Sequence, residues 1–514
     1  MLERWFGPKI HHYLHLLGLM LVAFGLPFNK VLMSIGTILG VANILLEGRF
    51  KDYWNRIINN KPFIFLLGFF LMHLVALLWT ENLDYALHDI RIKLPLLAIP
   101  MALVAHPIIK RSEINLILLT FLTTLTLISI YNGYHYSQLS QTDIANNYRE
   151  ISQFGSHIRF SLLVVLGLVL FVYFFFQYKK WRLLFAAAFL WLAVYTYFSQ
   201  VLSAPLSILF LLIFILIYKI WPKRLLRYSV AAIGVFVFTF GAISVQKTGY
   251  PKFDFSQLDE YSIRGNLYYH DSIHPSFENG KPVNIYISYD ELESEWDKYF
   301  TIPYDGFDRN NNPIKGTLYR YMTALDLRKD LDGLKILTKK DIENIQNGIA
   351  TPEHLKRGFE GRFASLKYAL ENQDDPNNST ILQRIEYWKT AGQIISKNLI
   401  FGVGTGDVQD AFDKQYVIND TRLSPPNQLR AHNMFLTIQL SFGILGSILF
   451  VLFMAKFLQF NRSINQLLGF CLFGVMISSF FIEDTLETQT GVTMFSFFIG
   501  LLLVKWEKIK PADS

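Results

Sequence analysis

Chemistry at an anion needs fixed cations and a group that titrates near neutrality, and the segment from Arg384 to Asn433 supplies both. The run 380–397 (TILQRIEYWKTAGQIISK) has helical periodicity. Ile381, Ile385, Trp388, Gly392 and Ile395 form one stripe, and Glu386, Lys389, Gln393 and Lys397 the opposite face. Arg384 breaks the pattern. At roughly 100° per residue it sits about 60° from the centre of the apolar stripe, where a charge requires a partner. That partner is either a carboxylate or a headgroup reached by snorkelling, or a phosphate gripped bidentately by the guanidinium.

Gly402-Val403-Gly404-Thr405-Gly406-Asp407 follows. Alternating glycines permit positive φ and let backbone N–H groups approach an anion, so Gly404 and Gly406 are candidate substrate contacts. The run lacks the Lys-Ser/Thr of a P-loop and follows a helix instead of a strand, so a tight turn is the simpler reading. His432 and Asn433 open the next apolar run. A histidine there is either an interfacial residue or a base able to take a proton from an acceptor hydroxyl, with Asn433 beside it as a further contact. Arg91, Lys93 and Arg159 lie at or just within the ends of apolar runs, where an unpaired charge is costly. They anchor the interface, or they join Arg384 in a cationic patch for a diphosphate. Glu483, Asp484 and Glu487 share a later turn and either orient a base, bind sugar hydroxyls or are simply solvated. No Asp-x-Asp or histidine cluster calls for a metal, and no cofactor is expected. Cys471 is the lone cysteine, which excludes a disulfide framework.

The elements that must position these residues are membrane helices. The 514 residues are 52% hydrophobic and only 17% charged, too apolar for an ordinary soluble enzyme and incompatible with disorder or a coiled coil. Twelve runs approach the roughly 17 to 25 apolar residues that a span needs. They lie near 11–28, 30–46, 62–79, 92–106, 114–132, 158–177, 182–199, 204–221, 227–246, 433–456, 465–482 and 489–505. The fourth is short and carries Pro95 and Pro100.

The formal charge of +7 raises the question of nucleic acid, but its distribution answers otherwise. Residues 247–433 hold 23 basic and 27 acidic residues, and the rest of the chain 25 and 14. The basic excess therefore belongs to the short loops between apolar runs. Alternate connections carry twenty Lys and Arg, among them Arg49, Lys51, Arg56, Lys110, Arg111, Lys179, Lys180 and Lys505, against five on the opposite side: Lys30, Arg91, Lys93, Arg149 and Arg159. By the positive-inside rule both termini are cytoplasmic and the first helix is an uncleaved anchor.

This topology implies an all-α polytopic membrane protein with a large, mainly helical external domain between the ninth and tenth spans. Residues 1–246 form a membrane region of nine helices, 247–432 the external domain and 433–514 a membrane region of three helices. Within the external domain the run 284–289 (NIYISY) is strand-like, and helices are expected at 318–330, 338–347, 352–371 and 380–397.

Taken together, Arg384-Ile-Glu-Tyr-Trp388, then Asn398-Leu-Ile-Phe-Gly402-Val-Gly404-Thr-Gly406, then His432-Asn433 and Phe442-Gly443-Ile444-Leu445-Gly446 resemble the O-antigen ligase/polymerase family of bacterial envelope glycosyltransferases. The resemblance implies transfer of a glycan from an undecaprenyl-diphosphate carrier to a hydroxyl acceptor, lipid A-core in the ligases, on the periplasmic face of the bacterial inner membrane. It implies work without metal or nucleotide sugar, and it carries functional roles onto Arg384 and His432, with Arg159 as a further basic position. One departure stands out. Where the family often shows Ser-Arg at the external start of a mid-chain span, this chain has Leu202-Ser203-Ala204-Pro205. The stretch 247–380 is also longer than expected.

Inverting, metal-independent glycosyl transfer is the function expected, with Arg384, Arg159 and Lys93 on the diphosphate and His432 on the acceptor. A polysaccharide polymerase or a protein O-glycan ligase is the alternative within the family. A polytopic transporter predicts charges near the bilayer midplane and paired broken helices, and the sequence shows neither. A receptor with a ligand-binding ectodomain is a third reading.

Overall fold

The computed structural model describes residues 7–139, 151–199, 201–220, 253–273, 275–355, 360–373, 375–377, 379–462 and 466–507. The expected span near 227–246 and Arg149 lie outside these residues. The described residues are mainly helical with almost no sheet, as an all-α polytopic membrane protein should be. Among the described residues, six helical stretches are long and apolar enough to cross a membrane: Lys30–Glu47, Lys61–Leu78, Arg111–Gln138, His157–Gln177, Lys179–Ser199 and Met434–Phe460. Ser203–Leu216, Leu467–Ile482 and Gln489–Leu502 are shorter apolar helices.

In chain order the bundle comprises α1 (Pro8–Gly25), α2 (Lys30–Glu47), α3 (Phe50–Asn59), α4 (Lys61–Val75), α5 (Leu83–Ala105), α6 (Arg111–Gln138), α7 (His157–Gln177), α8 (Arg182–Ser199) and α9 (Ser203–Ile220). The long segment between α9 and the last three helices supplies α10 (Tyr289–Tyr299), α11 (Ile314–Ala324), α12 (Leu331–Ile336), α13 (Lys339–Gln346), α14 (Glu360–Glu371), α15 (Thr380–Lys397) and α16 (Val408–Ile418). The chain returns to the bundle through α17 (Met434–Arg462), α18 (Gln466–Ile482) and α19 (Gln489–Leu502).

One phenylalanine-rich core joins the early helices to the last three. Phe121 meets Phe498 at 5.3 Å between ring centroids, Phe69 meets Phe450 at 5.0 Å, and Phe453 meets Phe495 at 6.2 Å. Edge-on and tilted pairs of this kind add about 0.5–1.5 kcal/mol each to the packing. α4 lies along α17, α5 along α19 and α9 along α18. The bundle has two distinct ends. At one, Asn60 Nδ2 donates to the Leu503 carbonyl at 3.0 Å, Glu507 N to Ile109 O at 2.9 Å and Arg56 Nη1 to Ala105 O at 2.6 Å. This end carries the basic connections that the charge pattern assigns to the cytoplasm. The opposite end carries the turns 26–29, 79–82 and 483–488, against which α15 and the start of α16 are held.

Two elements of the bundle differ from expectation, and in the segment before α17 the helices expected at 318–330 and 352–371 are instead Ile314–Ala324 and Glu360–Glu371. α3 falls where the sequence reads as a charged loop. Phe50, Trp54 and Ile58, four residues apart, are all exposed along one side of it while Tyr53 is buried, the pattern of a helix lying in the membrane interface. α5 starts at Leu83, well before the expected span, because its charges are paired within the structure instead of ending the helix.

Among the described residues, the segment between α9 and α17 has two cores. Trp296, Leu318, Tyr321, Met322, Leu334 and Ile345 gather α10–α13 into one. The strand-like run 284–289 makes only isolated bridges, Ile287 to Tyr269 and to Lys329, and Tyr286 takes φ 54°. Two short strands, β1 (Phe277–Glu278) and β2 (Lys281–Pro282), pair nearby, and Phe277 N donates to Asn372 Oδ1 at 2.7 Å just after α14. The second core, Tyr387, Ala391, Ile394, Val408, Phe412, Tyr416, Ala431 and Leu440, binds α15 and α16 to the start of α17.

Candidate functional site

Ser379 caps α15, its hydroxyl accepting from Leu382 N at 3.4 Å, and this places Arg384 in the second turn. Tyr387, Ala391 and Ile394 turn inward, and Trp388 Nε1 donates to Ala431 O at 2.9 Å. α15 is thereby fixed against the strand of chain that leads to His432. From α15 the Arg384 guanidinium reaches the turn between α18 and α19, where Nη1 donates to Ile482 O at 2.6 Å and Nη2 lies 3.4 Å from Glu483 Oε1.

His432 sits on the same turn from the other side. Its backbone is left-handed (φ 47°), a conformation that costs a non-glycine residue roughly 1 kcal/mol or more and needs support. The support is visible. His432 N donates to Asp484 Oδ2 at 3.1 Å, and Thr437 Oγ1 donates to Asp484 Oδ1 at 2.7 Å. The imidazole Nδ1 lies 3.6 Å from Glu483 Oε2, and the ring is 5.8 Å from that of Tyr387. Asn433 caps α17, accepting from Phe435 N at 3.1 Å and Leu436 N at 3.2 Å.

Glu487 completes the turn. Its Oε1 meets Lys93 Nζ at 2.7 Å and its Oε2 meets Arg430 Nη1 at 3.2 Å, while Lys93 also holds Asp89 at 2.5 Å. Arg159, in the first turn of α7, is within electrostatic reach of Glu483 and Asp484, and its Nε has no hydrogen-bond partner among the described residues. It also lines a small surface cleft together with Asn29, Lys30, Phe154 and Thr490. Ser203, at the position without the arginine, bonds Ser161 at 2.7 Å, half a turn from Arg159. Arg91 stands apart, exposed, with Nη2 3.1 Å from His88 Nδ1.

Three acidic residues on one turn thus organise the cations contributed by α5, α7, α15 and the 430–432 segment. Their titration follows from their neighbours. Burial pushes the Glu483 carboxyl up, but His432, Arg384 and Arg159 outweigh it and hold the group below its usual range. Burial raises Asp484, with Glu487 adding to the rise and His432, Thr437 and Arg430 opposing it. Burial also raises Glu487, yet Lys93 and Arg430 prevail and hold that carboxyl well down. The arrangement leaves Arg384 and His432 with 28% and 32% of their side-chain surface exposed above a Glu483 that keeps 10%.

The glycine run serves close packing. Val403 N and Gly404 N donate to Leu440 O (2.7 Å) and Ser441 O (3.1 Å), and Thr405 N donates to Thr80 Oγ1 at 3.0 Å. Asp407 accepts from Glu81 N and Asn82 N at 2.9 and 2.7 Å. A Cβ on Gly404 would lie 2.5 Å from Thr80 Oγ1, and one on Gly406 2.1 Å from Asn82 O. Gly443 breaks α17 with φ 60° and ψ −155°, and this kink receives the 399–404 run, Ile444 N donating to Leu399 O at 2.9 Å. The motif therefore staples α15 and α17 to the α4–α5 turn, and so fixes Lys93 relative to Arg430.

Sequence reasoning singled out Arg384, His432, Arg159 and Lys93. Arg384, His432 and Lys93 meet this turn and Arg159 lies within electrostatic reach of it, but Lys93 is buried between Asp89 and Glu487, so its charge is already paired and it is not open to a diphosphate as expected. Sequence reasoning did not single out Arg430, and it left the roles of Glu483, Asp484 and Glu487 open. The available signal was three carboxylates closing an apolar run, which require partners.

Residues 340–451 match a protein-family model described as O-antigen ligase. The match spans Arg384, the glycine run, His432 and the Gly443 kink, so this part of the chain is an O-antigen ligase family segment, as the resemblance implied. No curated protein matches the chain.

Proposed function

We propose that this O-antigen ligase family protein moves a glycan from an undecaprenyl-diphosphate carrier to a hydroxyl acceptor, lipid A-core in the ligase reading, at the periplasmic end of the bundle. A glycan-transferring function of the family's kind is what the match supports. The observation that carries the finer reading is that Arg384 and His432 flank one carboxylate, Glu483, from opposite sides, each partly open to solvent.

The chemistry follows from that pair. The acceptor hydroxyl gives its proton to His432 Nε2, the ring nitrogen turned away from Glu483 in the observed pose. The hydroxyl oxygen forms its new bond to the anomeric carbon on the face opposite the diphosphate. The anomeric C–O bond breaks, and its electron pair leaves with the polyprenyl diphosphate. Arg384 and Arg159 take up the charge that develops on the leaving oxygens, the electrostatic contribution that dominates many such reactions. The configuration inverts in one displacement. The carrier bond is already activated, so neither metal nor nucleotide is required. Residues 247–432 form the external domain in this reading, and both termini face the cytoplasm.

The test is direct. Purified protein is incubated with an undecaprenyl-diphosphate glycan, a chelator and separate acceptors (lipid A-core, a second carrier-linked glycan, a protein hydroxyl), and the products are resolved by mass. Glycan on lipid A-core supports the ligase. Glycan on the second carrier marks a polymerase, and no product with any acceptor overturns the proposal.

A further inference from the structure

The three carboxylates of the 483–487 turn are not held alike. Both oxygens of Asp484 are taken, one by His432 N at 3.1 Å and one by Thr437 Oγ1 at 2.7 Å. Both oxygens of Glu487 are taken, by Lys93 at 2.7 Å and Arg430 at 3.2 Å. Glu483 differs. Its backbone continues α18 through Glu483 N to Ser479 O at 2.8 Å, but among the described residues its side chain is held by two long contacts, a 3.4 Å hydrogen bond from Arg384 Nη2 and a 3.6 Å approach of His432 Nδ1. Both are longer than the usual length of a hydrogen bond, about 2.7–3.2 Å, so each holds the carboxylate weakly. The carboxylate is largely buried, whereas both of its partners are partly exposed.

Resting on the site proposed above, we infer that Glu483 is a positioning residue that links donor binding to activation of the base: a diphosphate on Arg384 displaces Glu483, which then closes on the Nδ1–H of His432. Before donor arrives, the carboxylate neutralises Arg384 and competes with an incoming anion. Once the diphosphate supplies that charge, Glu483 is released to the imidazole. It fixes the tautomer with the proton on Nδ1 and raises the basicity of Nε2, the nitrogen that accepts the hydroxyl proton. The base is thereby strongest when leaving group and acceptor are both in place, and an empty site holds a weaker one. The other charged groups facing this pair are Arg159 from α7 and Asp484 on the same turn, with Arg430 and Glu487 beyond Asp484. Tyr387 lies across the imidazole.

Two readouts test this. In the wild-type protein, kcat/KM for the donor reports the free enzyme and kcat the loaded one. The acid limb of kcat should lie at higher pH than that of kcat/KM. Because a bound diphosphate raises the imidazole by itself, Glu483→Gln supplies the discriminating arm: the separation should shrink, kcat should fall on the order of 10-fold or more, and KM for the donor should fall because Arg384 loses its competitor. Coincident limbs in the wild type would overturn the inference. So would a Glu483→Gln variant that is unchanged, or one that loses kcat and donor affinity together as a merely structural residue would. If Arg384→Ala and His432→Ala retain full transfer, the site assignment itself fails, a result separable from any of these.

Discussion

The backbone N–H of His432 donates to the carboxylate of Asp484 across 3.1 Å, and this bond holds a histidine in left-handed backbone at the mouth of the bundle. The imidazole is thereby aimed from a main-chain position, and its direction depends on a residue some fifty positions away in sequence.

Asp484→Ala should misplace that histidine and leave the Thr437 hydroxyl without its acceptor. Losing one buried and one part-buried hydrogen bond is expected to lower stability by about 2 kcal/mol and to reduce transfer well beyond what the stability loss explains. Asp484→Asn keeps an acceptor for His432 N, and burial already favours the neutral form of this group. Its stability should stay close to wild type in thermal unfolding of the detergent-solubilised protein.

Glu487→Ala should be the most damaging single change on this turn. It strands Lys93 and Arg430 away from water, and breaking a buried pair by removing one partner costs about 3–5 kcal/mol. The pH dependence has a definite sign. Glu487 is held well below its ordinary 4.5, so its contribution is fully present above that value and is lost as pH falls below it. Acid titration of the melting temperature should show a loss below about pH 4.5 that Glu487→Gln largely removes.

Two glycines in the matched segment should respond oppositely to alanine. At Gly443 the backbone is in a glycine region and a Cβ would fall 2.2 Å from Ile400 O, so Gly443→Ala is expected to disrupt the α17 kink and cost several kcal/mol. Gly392 lies inside α15, exposed, with nothing within 4 Å of an added Cβ. Gly392→Ala should raise stability by about 0.5–1 kcal/mol. Equal effects at the two sites would contradict the packing described.

The transmembrane helices were legible because apolar runs of sufficient length have few alternatives in a bilayer. Their ends were less so. In sequence Asp84, Asp89 and Arg91 look like a loop and put the start of α5 near residue 92, whereas in the structure Lys93 sits on Asp89 one turn away and on Glu487 across the bundle. α3 was missed because Arg49, Lys51 and Arg56 mark it as a connection, although Phe50, Trp54 and Ile58 lie four residues apart. Arg384 and His432 stood out by type and setting, but the carboxylate between them is an interaction over 99 and 51 positions, to which local pattern is blind. The glycine run allows two readings locally, and the N–H groups of Val403, Gly404 and Thr405 favour close packing, since they are spent on Leu440, Ser441 and Thr80.

The central claim is that Arg384 and His432 together carry glycan transfer from a polyprenyl diphosphate. The most direct measurement is the initial rate of product formation by purified wild-type, Arg384→Ala and His432→Ala proteins, matched for folding, with donor, acceptor and chelator present. The account predicts robust wild-type transfer with chelator, and a loss of at least about 100-fold in each variant. Either variant transferring glycan at the wild-type rate would contradict it.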